Sequence, residues 1–294
     1  MTEDVSRPPA GFALFAETVR ELLGLDITAY NPRQLYRRLA GQLRRVGCTD
    51  LAAYAELVRQ DRARAAELWT LLTINVSEFF RDPALWDTLG QRILPSLVDE
   101  RRSVLRMWSA GCSIGAEAYS LAILATELAL PLPFRILATD IDPDALAQAM
   151  SGRYRSHEMA GLSESRRRRF FRPVKVSVPG RGGKETAEVV WEVLPEIRER
   201  VRFRQHNLLA DPYPTGMDLI LCRNVVIYFT PKAKQQVQQR LAQSLRPGGV
   251  LFVGGTETLL QPAALGLEPI APFFYRKKTG SLVSTQSAAD FGLI

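Results

Sequence analysis

The chain has 294 residues, of which 46% are hydrophobic and 23% charged, with 38 Lys and Arg against 31 Asp and Glu for a formal charge of +7. That is ample apolar material for one large domain plus a small one, and no apolar run approaches the roughly 20 residues of a helical membrane span, which argues against direct membrane insertion. Cys48, Cys112 and Cys222 are odd in number and lack metal spacing, which argues against a disulfide or zinc framework and fits a reducing cytoplasm.

In chain order, MTEDVSRPPAG shows no basic segment followed by an apolar one, so no secretory signal is expected. Residues 1–80 read as a helical domain. Phe12 to Leu23 is amphipathic. Asn31-Pro32 starts a helix that runs through Gln34 to Val46 and ends at Gly47, and Thr49-Asp50 caps Leu51 to Val58 ahead of a last helix over Ala63 to Leu72. At 100° per residue Leu35, Leu39, Leu43 and Val46 share an apolar stripe, while Arg33, Arg37 and Arg44, flanked by Arg38 and Arg45, make a basic face. Thr73 to Asp82, TINVSEFFRD, has neither helical nor strand period and reads as a joint; Asp82-Pro83 then caps a helix expected over Ala84 to Val98.

Val104 to Asp142 is the stretch around which the rest is arranged. Val104-Leu105-Arg106-Met107-Trp108 has the composition of a buried parallel strand, Ser109 to Gly115 is a small-residue loop, Glu117 to Leu130 is a helix ended by Pro131 and Pro133, and Phe134 to Ala138 is a second strand ending in Thr139-Asp140. Strand, glycine loop, helix, strand and acid form the first half of a nucleotide-binding α/β unit, with the acid placed to accept both hydrogens of a ribose diol. The loop is G-C-S-I-G rather than G-x-G-x-x-G, and it is followed at once by Glu117. A carboxylate there repels a pyrophosphate and suits a cation, so S-adenosylmethionine, with its sulfonium and ammonium and no phosphate, is the better reading; the plainer alternative is a tight loop in an ordinary α/β domain.

Pro143 to Met150 reads as a helix. Residues 153–204 hold fourteen Lys and Arg against seven Asp and Glu, so the whole net charge is local to them, as a solvated face or, around Arg166–Arg169, as a site for an acidic partner. Two alternating runs flanking Gly180-Arg181-Gly182-Gly183 suggest a small antiparallel insert at about residues 165–200. Val201 to Arg204, Met217 to Cys222, Val250 to Val253 and Phe273 to Arg276 return to the sheet, with a helix over Lys232 to Leu245, a turn at Pro247-Gly248-Gly249, and a polar tail, residues 279–294, expected to be flexible. In such a sheet ligands bind at the carboxyl ends of the strands, which here carry Ser109–Gly115, Asp140, Asn207 and Arg223-Asn224.

TINVSEFFRD, WSAGCSIGAEAYS, ATDID, SGRYR, HNLL, CRNVVIYF and RPGGVLFVGGTE occur in this order, and with them the chain resembles the chemotaxis receptor methyltransferase (CheR) family over residues 12 to 278. The resemblance implies a helical N-terminal domain, a doubly wound Rossmann-like α/β methyltransferase domain over residues 81–278 and an inserted β-subdomain. It implies a protein-glutamate O-methyltransferase that uses S-adenosylmethionine, without a metal, to esterify glutamates in the cytoplasmic helical bundle of chemoreceptors. By motif position it implies donor contacts from Asn75, Ser77, Arg81, Glu117, Asp140 (ribose), Asn207 (adenine), Leu208, Arg223 and Asn224, with Arg81 and Tyr228 as catalytic candidates, in a cytoplasmic enzyme expected to be monomeric. Two departures stand out: the family's Glu-Glu-Pro-Tyr is Ala116-Glu117-Ala118-Tyr119 here, and Ser77 replaces a frequent threonine.

Three rivals differ in what they require. A nucleic-acid methyltransferase fits the pI near 9.5, but Asp211-Pro212-Tyr213-Pro214 precedes its strand instead of ending it, and Cys222 lacks the preceding proline of cytosine-5 enzymes, so no nucleic-acid partner is expected. A small-molecule carboxyl methyltransferase does not need a helical domain with a basic face. A non-catalytic module does not need Arg81, Glu117, Asp140 and Tyr228 together.

Overall fold

A computed structural model describes residues 8–75, 77–98, 103–179 and 185–280. The expected glycine turn at 180–183 and nearly all of the expected flexible tail lie outside them, as do residues 1–7.

The helical domain contains α1 (Phe12–Leu23), α2 (Pro32–Val46), α3 (Leu51–Gln60) and α4 (Arg62–Thr73). Local chemistry sets their ends. The Asn31, Asp50 and Asp61 side chains accept first-turn N–H groups, and Gly24 and Gly47 close helices in the left-handed region at φ 67° and 73°. Leu35 and Leu39 of the predicted stripe are buried, and with Phe15, Val19, Tyr54 and Leu68 they form a separate core in which each such residue contributes about 1.5–3 kcal/mol.

The second half begins with α5 (Pro83–Thr88) and α6 (Leu94–Leu97), joined by a π-turn over Leu89–Ile93. One continuous helix was expected here. Pro95 has no N–H to offer the Gln91 carbonyl, and just ahead of it the ladder widens so that Leu94 N–H reaches the Leu89 carbonyl. The alternation expected of an α/β domain follows: β1 (Leu105–Ala110), α7 (Ala116–Glu127), β2 (Phe134–Asp140) and α8 (Pro143–Ser151), then β3 (Arg153–Tyr154), α9 (Glu164–Phe170), β4 (Phe171–Pro179), β5 (Glu185–Val193) and α10 (Pro195–Arg198), and finally β6 (Val201–Gln205), β7 (Met217–Cys222), α11 (Pro231–Ser244), β8 (Leu245–Val253), β9 (Leu267–Ala271) and β10 (Phe274–Lys277).

The large sheet has the order β6-β2-β1-β7-β8-β10-β9, parallel from β6 to β8, with β10 antiparallel to its neighbours. Every residue of β7 is buried, as the continuous apolar run MDLILC requires of a strand covered on both faces. The expected turn at Pro247–Gly249 lies instead inside β8: Met217 is opposite Leu245 and Leu219 opposite Val250, so the extra residues bulge, and a Cβ on Gly249 would stand 2.8 Å from the Met217 carbonyl. The insert is a second sheet, β3-β5-β4, which takes in Arg153-Tyr154 upstream of the predicted 165. Chain order reverses between β1 and β7, and the crevice beyond their carboxyl ends is where a doubly wound sheet accepts ligand.

Candidate active site in the switch-point crevice

That crevice is lined by all three parts of the chain: Asp26 and Tyr30 of the helical domain, Asn75, Ser77 and Arg81 of the joint, and Gly111, Glu117, Asp140, Asn207, Leu208, Arg223, Asn224 and Tyr228 from the ends of the strands. Every residue nominated from the sequence thus lines one cavity, although their side chains have unequal freedom.

Asp140, 9% exposed, receives one backbone N–H on each carboxylate oxygen, from Ser113 at 2.7 Å and from Asp142 at 3.0 Å. Each oxygen keeps lone pairs, and burial holds the carboxyl above its ordinary range although those N–H bonds pull it down. Glu117 opens α7, whose N-terminal end follows Gly115 at φ 85°. Burial raises the Glu117 carboxyl too, opposed by Arg223, 3.7 Å away, and by the Ser109 hydroxyl, which donates at 2.7 Å. A Cβ on Gly111, at φ 80°, would stand 2.4 Å from Val225, so only glycine leaves this wall intact.

Arg223 is anchored differently from a free ligand-binding cation. Its side chain is 2% exposed, donates to the Arg81 carbonyl (2.9 Å) and the Asp82 carboxylate (2.8 Å), and lies over the Phe252 ring at 4.6 Å. Asp82, expected to cap α5, makes no side-chain cap and sits at φ 61°, because a buried guanidinium offers it a charge-assisted bond. Asn75 ties the joint down, donating to Asp142 at 2.5 Å and accepting from the Ser113 hydroxyl at 3.2 Å. Asp142 also accepts from Thr73 at 2.9 Å; burial pushes its carboxyl up, but these donors outweigh burial and hold it below the usual range. The Asn207 oxygen accepts the Leu209 N–H and its own N–H goes to Asp211, which fixes the turn that presents Leu208.

By contrast the Arg81 guanidinium has no ion pair or hydrogen bond among the described residues. Tyr228 ends a 3-10 turn, Val226–Tyr228, strapped to the helical domain: Asn31 N–H donates to the Tyr228 carbonyl (2.7 Å), Thr230 N–H to the Ala29 carbonyl (2.8 Å), and Tyr30 bridges Phe229 in antiparallel fashion. Tyr30, pushed up to about 12 by burial and then by the Asp140 charge, stays neutral. The one imidazole in the wall, His206, is kept below its ordinary pKa by burial, and its Nε2 is bound to the Pro212 carbonyl at 3.1 Å.

Two supporting acids behind the wall escaped the sequence reading, Asp142 seen only as the end of ATDID and Glu257 only as the end of GGTE; the available signal was an acid just past a strand, two residues after β2 and four after β8. The crevice therefore offers two carboxylates at its buried end, Glu117 and Asp140, with Asp26 and Glu78 further out, and beside them one unpaired guanidinium, a glycine wall and an apolar shelf at Leu208. Such a set suits a ligand with a diol, a cationic centre and a free carboxylate.

Comparison with known proteins agrees. Residues 10–73 match the family model "CheR methyltransferase, all-alpha domain" and residues 75–269 match "CheR methyltransferase, SAM binding domain". The chain is 41% identical to a chemotaxis protein methyltransferase of Listeria innocua over 90% of its own length and 97% of the relative's. It is 33% identical to chemotaxis protein methyltransferase 1 of Pseudomonas aeruginosa, covering 87% and 92%, and 31% identical to the chemotaxis protein methyltransferase of Escherichia coli, covering 87% of both. A helical domain strapped to an α/β sheet with its crevice at the β1/β7 switch point, matched by both family models in series, makes this chain a member of the CheR methyltransferase family.

Proposed function

We propose that the chain transfers the methyl group of S-adenosylmethionine to glutamate side chains in the cytoplasmic helical bundle of chemoreceptors, giving glutamyl methyl esters. The observation that carries this reading is the unpaired guanidinium of Arg81 in a crevice that also holds Glu117 and Asp140. Bound S-adenosylmethionine supplies an electrophilic methyl on a sulfonium. Asp140 offers lone pairs to the ribose diol, Glu117 favours the donor's cationic end, and the glycine loop admits the ligand close to the backbone. A glutamate is ionised at neutral pH, with an ordinary pKa of about 4.3, so no base need take a proton from it, in keeping with a crevice whose imidazole is tied to a carbonyl. Arg81 and the Tyr228 hydroxyl orient the carboxylate, and such fixed donors are typically worth about a hundredfold to a thousandfold in turnover.

Arg33, Arg37 and Arg44 on α2 have no hydrogen-bond or ion-pair partner from their guanidinium groups among the described residues, and Arg37 and Arg44 are exposed. They would face the glutamate-rich receptor. Tritiated methyl donor, the enzyme and a receptor cytoplasmic fragment should yield label in receptor that is released by mild alkali. Alkali-stable label, or label in RNA in place of protein, would overturn the reading.

A further inference from the structure

Glu257 follows the end of β8, is 0% exposed, and lies outside the lining of the crevice. No cation pairs with it among the described residues. Its carboxylate is instead enclosed by backbone: Oε2 accepts from Asn224 N–H at 2.5 Å and Gly254 N–H at 3.0 Å, and Oε1 from Val225 N–H at 2.9 Å and Ile227 N–H at 3.3 Å. Burying an unpaired carboxylate is costly, and four N–H donors offset that cost only because both oxygens accept.

Three of the four donors belong to one short loop, which leaves β7, passes through Asn224 at φ 59°, and ends in the turn at Tyr228. Turned inward, these N–H groups fix which way the loop faces, and Asn224, Val225 and Tyr228 line the crevice on its other side. The site is built for this carboxylate. A Cβ on Gly254 would stand 2.5 Å from Oε2 and 3.0 Å from the Asn224 nitrogen, so the approach requires glycine three residues before the acid. The helical domain holds the loop's far end through the Asn31 and Thr230 bonds, which leaves Glu257 as the anchor of its near end.

We propose that Glu257 is a positioning residue for methyl transfer: touching neither donor nor acceptor, it sets the loop from Asn224 to Tyr228 so that the Tyr228 hydroxyl meets the acceptor carboxylate. This rests on the functional reading above. Glutamine keeps the shape of Glu257 but turns one acceptor into a donor facing two N–H groups.

The test is a double-mutant cycle of Glu257→Gln and Tyr228→Phe, measured with a receptor cytoplasmic fragment, alongside calorimetry with S-adenosylhomocysteine. Glu257→Gln should lower turnover by about a hundredfold, the scale of a 1 Å misplacement. Product affinity should fall only about fivefold, the worth of one neutral hydrogen bond lost at Asn224. The double variant should be no slower than Tyr228→Phe alone, because both changes remove the same contribution. Gly254→Ala displaces the carboxylate without removing its charge and should behave alike; it decides the matter if Glu257→Gln does not fold. Losses that multiply, product affinity falling in step with turnover, or normal turnover in Gly254→Ala would overturn the proposal. A wild-type enzyme that puts no alkali-labile label on receptor overturns the functional reading and this one with it, whereas multiplying losses on a labelled receptor overturn this one alone.

Discussion

Arginine is concentrated in α2 and again in α9, and the two helices use it in opposite ways. Arg37 and Arg44 of α2 are exposed and without a partner among the described residues. In α9, Arg166 grips Glu127 through both oxygens at 2.8–3.1 Å and lies 3.9 Å over the Phe80 ring, Arg167 and Arg168 share Glu164, and Arg169 covers Phe170. The α9 arginines of the segment that carries the chain's net charge are thus committed to carboxylates and rings within reach, one of them outside the segment, while α2, in a helical domain neutral by count, presents uncommitted cations. Charge available to a partner depends on where the carboxylates fall, which a running total does not register. The crevice repeats the contrast with the opposite sign: Asp142 is occupied by Thr73 and Asn75, whereas Asp140 and Glu117 keep acceptor capacity.

The sharpest way to test this division is at Asp140. Asp140→Ala should weaken S-adenosylhomocysteine binding by about tenfold to a hundredfold, the worth of a hydrogen bond to a charged group, about 1.5–3 kcal/mol, as read by calorimetry. Because burial raises the Asp140 and Glu117 carboxyls, affinity in the unaltered protein should begin to fall at a pH above the ordinary carboxylate range of about 4. Stability of the ligand-free protein runs the other way. A carboxyl raised on folding contributes stability that is fully present below its unfolded pKa and lost as pH rises through the folded value. Asp142, held low, contributes above its unfolded pKa and loses that contribution on acidification. An affinity independent of pH from 7 down to 4 would remove Asp140 and Glu117 from the donor site.

The next largest effect is expected from Arg166→Ala. Its ion pair is 28% and 23% exposed, so after allowance for solvent screening the pair and the ring contact together are worth about 1–2 kcal/mol, or about 2–4 °C in melting temperature. Receptor kinetics should be untouched. Arg168, 78% exposed, should change stability by less than about 0.5 kcal/mol when replaced by alanine. A receptor defect in either variant would give α9 a docking role after all.

Reversing Arg37 and Arg44 to glutamate is the complementary experiment. The expectation is a rise of about tenfold in the Michaelis constant for receptor, near 1.4 kcal/mol, with melting temperature and donor affinity unchanged. The effect should shrink as salt shortens the Debye length from about 30 Å at 0.01 M to about 10 Å at 0.1 M. Unchanged receptor kinetics would make the α2 face a merely solvated one.

The parts of the fold carried by burial on both faces were plain in the sequence: LRMWSA and MDLILC are apolar because they are central strands, and GCSIG is small because Gly111 and Gly115 face Val225 and Ala149 at close quarters. What stayed hidden depends on partners far apart in the chain. Nothing local distinguishes a capping Asp82 from one drawn to Arg223, 141 residues away. Nothing local shows that Glu257 binds the loop after β7, or that Arg166 is answered by Glu127. The bulge at Pro247–Gly249 was read as a turn because its composition is that of one, and strand pairing alone overrides it. β3 is two residues long and β9 is an edge strand, both too short or too mixed for a period to appear.

The strap between Ala29–Asn31 and Tyr228–Thr230 has a consequence for the order of assembly. It joins segments some two hundred residues apart, as the Gln34 bond to the Ile227 carbonyl, at a separation of 193, also does. Closing so long a loop costs chain entropy that local contacts cannot repay at once, so these bonds form late, after the bundle and the sheet each have a core of their own. During synthesis the bundle emerges first and waits for the rest. Tyr228 then acquires its fixed place as one of the last acts of folding, so that a chain competent to transfer a methyl group is one whose two halves have already met.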